Sequence, residues 1–151
     1  MPRTDPFEYL AGAEAAISNP EETRVAVEHA LQVAPHEPEV RLAAYRFYYY
    51  NHDYAEAIEQ AEWILAHAAR YLNIAADWRD VAPGDAEFSV ADEIPSLYMQ
   101  SLIALGYCAA RCDRRVLARE ALEQAVLLDP SDRLGASWLL AHLNRDSSDE
   151  S

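Results

Sequence analysis

Apolar residues recur along this chain about every three to four positions, the spacing that lines one face of an α-helix. The pattern predicts helices near 6–17, 20–33, 38–51, 53–78, 95–111, 114–128 and 131–144. The fourth is the longest, because Ile58, Ala61, Leu65, Ala68, Leu72, Ala75 and Ala76 hold the rhythm as far as Trp78. Boundary signals agree with the pattern. Asn19-Pro20-Glu21-Glu22 supplies an N-cap, a proline at the first helical position and a capping-box acid. Asp113 and Ser131 stand where they can cap the helices that follow them. The rhythm fails from Arg79 to Pro95, a stretch holding Pro83-Gly84 and five acids together with Val81, Phe88 and Val90. A purely solvated linker has no use for Phe88, so this segment is predicted to fold back onto the helices. Trp138, Leu139, Leu140 and Leu143 give the last helix an apolar face suited to shielding the end of a helical stack. Residues 146–151 form an acidic, Ser-rich tail with nothing to bury and are expected to be disordered.

The helices also repeat. Leu102, Leu105, Gly106, Ala118, Leu122, Ala125 and Pro130 within 99–132 fall at the signature positions of a helix pair of about 34 residues. The same ruler laid on 4–37 meets Phe7, Leu10, Ala11, Ala30 and Pro35, with Thr23 and Val27 departing from the pattern. Laid on 38–71 it meets Tyr48, Tyr54 and Ala57, while Arg41, Tyr45 and Ala69 depart from it. On these residues the chain resembles the tetratricopeptide (TPR) family. The resemblance implies an all-α fold, a right-handed α-α superhelix (TPR-like solenoid) of about three helix pairs plus a C-terminal capping helix. One domain would span 1–145, with repeats 4–37, 38–71 and 99–132, an insertion at 72–98 and a capping helix at 131–144. Each feature has a physical reason. Gly106 and Ala118 permit close approach of antiparallel helices, and Pro130 cannot continue the hydrogen-bond ladder of the second helix.

Composition narrows the function classes. The 151 residues suffice for one domain, and only Gly12, Gly84, Gly106 and Gly135 interrupt a chain rich in Ala and Leu. No apolar run reaches the roughly 18 residues of a membrane span, and Met1-Pro2-Arg3-Thr4-Asp5 lacks the apolar core of a secretory signal. No membrane association and a cytoplasmic location are expected. A formal charge of −14 opposes binding to phosphate backbones, so nucleic acid is not an expected partner. All 12 cations are Arg. A compositional bias accounts for this, although Arg also forms better bidentate pairs with carboxylates than Lys does. Cys108 and Cys112, four apart on one helix, are read as reduced structural residues.

No catalytic motif is present: no phosphate-cradling glycine loop, no H-E-x-x-H, no nucleophile elbow and no Cys-x-x-Cys. His29, His36, His52, His67 and His142 are scattered and read as surface or capping residues. The chain is therefore expected to be no enzyme, to use no cofactor and no metal, and to bind a protein or peptide partner. The aromatic cluster Tyr45, Phe47, Tyr48, Tyr49, Tyr50 and Tyr54 cannot all face the core, since successive side chains lie about 100° apart around a helix. The TPR resemblance implies that Tyr48 points inward and that Leu42, Arg46, Tyr49 and Tyr50 face a concave groove. It implies the same for Gln100, Ile103, Tyr107, Ala110 and Arg111 in the third unit, and for Asp5, Glu8, Gly12, Ala15 and Ala16 in the first. The expected partner-binding residues are Leu42, Arg46, Tyr49, Tyr50, Gln100, Ile103, Tyr107 and Arg111. Tyr and Arg are enriched in binding hot spots. Alternatively, Phe88 or Trp78 from the insertion covers these tyrosines. Arg111, Arg114, Arg115 and Arg119 form a cationic patch that could dock an acidic partner or the chain's own Asp85, Glu87, Asp92 and Glu93. The role implied is that of an adaptor, assembly factor or chaperone. Two alternatives are a self-associating structural domain, hence a homo-oligomer, and a protein similar to the secretion chaperones of three TPR units. TPR co-chaperones that clamp acidic C-termini are disfavoured, because Glu8 and Gly12 stand at the clamp positions and the chain has no Lys.

Overall fold

The computed structural model describes residues 19–149, with side chains described as far as Arg145. The expected helix 6–17, and with it Asp5, Glu8, Gly12, Ala15 and Ala16, lies outside the described residues. The described residues form six α-helices, no strand and two short 3-10 turns: α1 (Pro20–Val33), α2 (Pro38–Tyr50), α3 (Tyr54–Leu72), α4 (Glu93–Arg111), α5 (Arg115–Leu128) and α6 (Ala136–Asp149). The fold is all-α. Each helix packs on the next in sequence, most extensively α3 on α4, and α4 also touches α6.

The start of α1 follows its sequence signals. Asn19 caps it by accepting the Glu22 N–H, with Pro20 in the first turn. Arg41 on α2 ties three elements together. Its guanidinium donates to the Pro35 carbonyl at 2.8 Å and to Gln60 Oε1 on α3 at 3.1 Å, and it lies over the Trp63 ring. Arg24 on α1 meets Asp53, just before α3, at 2.8 Å.

The turns after α2 and α4 share one geometry. His52 and Asp113 adopt left-handed φ values of 62° and 65°. The following amides, of Asp53 and Arg114, each donate to a carbonyl five residues back, on Tyr48 and Ala109, at 2.8 Å. His52 and Asp113 hold corresponding places in 38–71 and 99–132. Asp113 therefore closes α4 instead of capping α5, whose N-cap residue is Arg114, with no side-chain cap bond.

Three boundaries differ from the sequence reading. The helix expected over 53–78 stops at Leu72, because Asn73 turns left-handed (φ 61°) and the Ile74 amide bonds back to the Ala69 carbonyl. Ala75 and Ala76 kept the period but bring little surface to bury, and both are exposed. The helix expected at 95–111 begins two residues earlier, at Glu93, so the segment joining α3 to α4 is 73–92. The terminal helix expected at 131–144 begins at Ala136. Asp129 holds the intervening turn by accepting the Ser131 hydroxyl and the Arg133 amide, and Asp132 accepts the amide and hydroxyl of Ser137. Asp132, not Ser131, thus caps this helix, and Gly135 (φ 80°) completes the turn. The helix runs on through 146–149, residues expected to be a disordered tail.

The segment 73–92 folds back as Phe88 suggested. Trp78, Val81 and Phe88 are buried, and Phe88 packs on Tyr98 with ring centroids 5.7 Å apart. Gln124 on α5 donates to the Trp78 and Val81 carbonyls at 2.9 and 2.6 Å. Arg79 meets Glu120 at 3.0 Å, Ser89 donates to Asp129 at 2.7 Å, and Arg133 donates to the Val90 carbonyl at 2.9 Å. One contact of this docking pairs a loop arginine, Arg79, with a helix carboxylate, Glu120.

Candidate functional site

Helices α2 and α4 run in the same direction and leave a groove between them, with α3 beneath. Three adjoining clefts trace it. At the N-terminal ends of both helices a cleft of about 390 Å³ is lined by Pro38, Glu39 and Leu42 from α2 and by Glu93, Ser96, Leu97 and Gln100 from α4, with Ile64 of α3 at its base. A smaller cleft of about 70 Å³ follows, where Leu42 and Tyr45 face Leu97, Gln100, Ser101 and Ala104 over Ala61 and Ile64. The last, about 310 Å³, lies between Tyr45 and Tyr49 on one side and Gln100, Ile103, Ala104 and Tyr107 on the other, with Leu134 and Leu139 as an end wall.

The aromatic end is a packed cluster. The ring centroid of Tyr49 lies 5.9 Å from that of Tyr45, 6.2 Å from Tyr54 and 5.8 Å from Tyr107. Contacts of this kind fix aromatic rings in place and leave less freedom to lose on binding. Burial pushes the phenols of Tyr45 and Tyr49 above their usual range, so both remain protonated and can donate hydrogen bonds. Tyr45 also reaches the Cys108 sulfur at 3.9 Å. Cys108 and Cys112 are free thiols.

The eight expected binding residues divide. Leu42, Tyr49, Gln100, Ile103 and Tyr107 line the groove. Arg111 flanks its aromatic end, 5.3 Å over the Tyr54 ring and 3.4 Å from the Tyr107 hydroxyl. Tyr50 is 61% exposed and meets Tyr49 edge-on beside the groove. Arg46 is exposed and lines none of the three clefts. Sequence reasoning missed Tyr45, Leu97, Ala104 and the end wall of Leu134 and Leu139. The first three were within reach of it, since 42, 45 and 49 on α2 and 97, 100, 104 and 107 on α4 keep the spacing of single helical faces.

No residue of 73–92 lines any of the three clefts. The alternative in which Phe88 or Trp78 covers the tyrosines is overturned, because both side chains are buried elsewhere: Phe88 packs on Tyr98, and the backbone around Trp78 is bonded to α5. Arg115, from the expected cationic patch, pairs with Asp113 in its own turn at 3.3 Å.

The chain is 32% identical over 119 residues to the "Uncharacterized 19.8 kDa protein in nifW 5'region" of Azotobacter chroococcum mcd 1, a match covering 78% of this chain and 67% of that protein. The chain belongs to that protein's family. No family model matches this family member, and no solved structure matches it. Among its described residues no helix is long and apolar enough to cross a membrane, and no group of three or more His, Cys, Asp or Glu could hold a metal ion.

Proposed function

We propose that this protein is a non-catalytic interaction module of TPR type, a right-handed superhelix of helix pairs that binds a peptide or protein segment as an adaptor, assembly factor or chaperone. The observation that carries the reading is the open, tyrosine-walled groove between α2 and α4, left free by the segment joining α3 to α4. The matched turns at His52 and Asp113 support the repeat architecture, since they recur at one place in two units. The close approach of Gly106 to Leu122 supports it too. Tyr49 and Tyr107 act as anchors, Tyr50 extends the aromatic wall outward, and Arg111 pairs with ligand carboxylates at the aromatic end. The free thiols favour a reducing, cytoplasmic setting.

The test is partner capture by the Tyr49→Ala/Tyr107→Ala double variant. Capture should fall while helical circular dichroism stays constant. Undiminished capture with intact helicity would remove the groove from consideration. A second reading, self-association, is favoured by Trp138, 60% exposed on α6. Light scattering across a concentration range separates the two, since a strictly monomeric species excludes an oligomer.

A further inference from the structure

We infer that the groove takes an extended peptide bearing an Arg or Lys about four residues from a large apolar side chain. This rests on the interaction-module reading and adds the chemistry of the ligand. The two ends of the groove differ in kind. At the N-terminal ends of α2 and α4 the lining carries the carboxylates of Glu39 and Glu93 and no cation. At the other end Tyr45, Tyr49, Ile103 and Tyr107 line an open apolar cleft of about 310 Å³, room for one large side chain. The protein's formal charge of −14 adds a general preference for cationic ligands and a faster encounter with them.

Spacing follows from helix geometry. From Glu93 to Tyr107 α4 rises about 21 Å, at about 1.5 Å per residue. That length accommodates about six residues of extended chain. On the same scale the aromatic lining is centred about 12 Å of helix rise beyond Glu39 and about 16 Å beyond Glu93, a mean of about four extended residues.

Gln100 selects the extended form. It is exposed and lines all three clefts, so its carboxamide stands midway along the groove. An extended peptide has backbone N–H and C=O groups to pair with an amide there. A helical ligand has already used its own.

The test uses fluorescein-labelled hexapeptides: Arg-Ser-Ala-Ser-Leu-Ser, its reversed sequence, and for each the counterpart with Glu replacing Arg. Anisotropy titrations at low salt should show one Arg peptide bound about tenfold more tightly than its Glu counterpart. That preference should shrink as salt is raised. Glu39→Gln/Glu93→Gln should remove most of the preference, leaving the small part due to the general negative charge, while binding of the Glu peptide stays unchanged or strengthens. Tyr107→Ala should weaken all the peptides. Equal affinity for Arg and Glu peptides, still lost in Tyr107→Ala, overturns the ligand class and leaves the groove standing. Absence of binding, or binding indifferent to all three substitutions, overturns both. A dimer seen by sedimentation and broken by Tyr107→Ala would make a second copy the occupant and overturn the inference as well.

Discussion

The α-carbon of Gly106 faces the Leu122 side chain so closely that a Cβ built on it would lie 2.7 Å from Leu122 Cγ. Leu122 is buried, so it has little room to yield. Alanine at position 106 would gain up to about 1 kcal/mol of helix propensity. Overpacking at such a contact costs about 1–3 kcal/mol, and the clash wins. Gly106→Ala should lower stability by about 1 kcal/mol, and Gly106→Val by more, read as a drop in urea midpoint. Gly84→Ala, where nothing lies within 4 Å, is the control and should be close to neutral.

Gln124 fastens the segment 73–92 with two hydrogen bonds from one amide. Gln124→Ala strips partners from the Trp78 and Val81 carbonyls and should cost about 1–3 kcal/mol. Trp78 emission should shift to the red as the segment loosens, and binding at the groove should be unaffected. A loss of binding without a shift in emission would contradict this separation.

Asp129 links stability to acid. Burial pulls its carboxyl pKa upward, but hydrogen bonds from Ser131, Ser89 and the Arg133 amide outweigh that and hold it below its ordinary value of 3.8. A folded pKa lower than the unfolded one stabilises the fold above the unfolded value, and the benefit vanishes as pH falls through the folded value. Asp129→Asn should therefore be destabilised near neutrality, and the gap to wild type should close as pH drops below about 4. A gap independent of pH would rule out the carboxylate as its origin.

The two thiols should react in a fixed order. Cys108 is fully buried and its pKa is pushed up to about 11 by desolvation, whereas Cys112 is half-buried. Iodoacetamide on the native protein should modify Cys112 first, and Cys108 only on unfolding, as read by peptide mass spectrometry. Early labelling of Cys108 would contradict the packing of α4.

Helix existence was legible because the apolar period is long and clean, and because Asn19 and Pro20 signal a start with local chemistry. Boundaries failed where a left-handed residue overruled the period: Asn73 ends α3 although Ala75 and Ala76 continue the rhythm. The docking of 73–92 was only half legible. Phe88 announced that the segment packs, but nothing in the pattern sets Glu120 and Gln124 apart from other polar positions of α5, so its destination could not be inferred. Tyr45 was noticed as a departure from the repeat and as part of an aromatic cluster but not as groove lining, because the α4 residues it faces, Cys108 among them, are brought to it only by packing. Arg46 and Tyr50 carry suitable chemistry, yet a rotation of one position around α2 takes them off the lining.

Leu134 and Leu139 close the groove from the chain's last helix and the turn before it. The terminal helix is thus a wall of the binding surface as well as a seal on the stack. Chains trimmed before Leu134 would retain α1 to α5 and every anchor tyrosine, yet present an unwalled trough. Mapping recognition by serial truncation would then credit the final segment with contacts whose centre of gravity lies on α2 and α4.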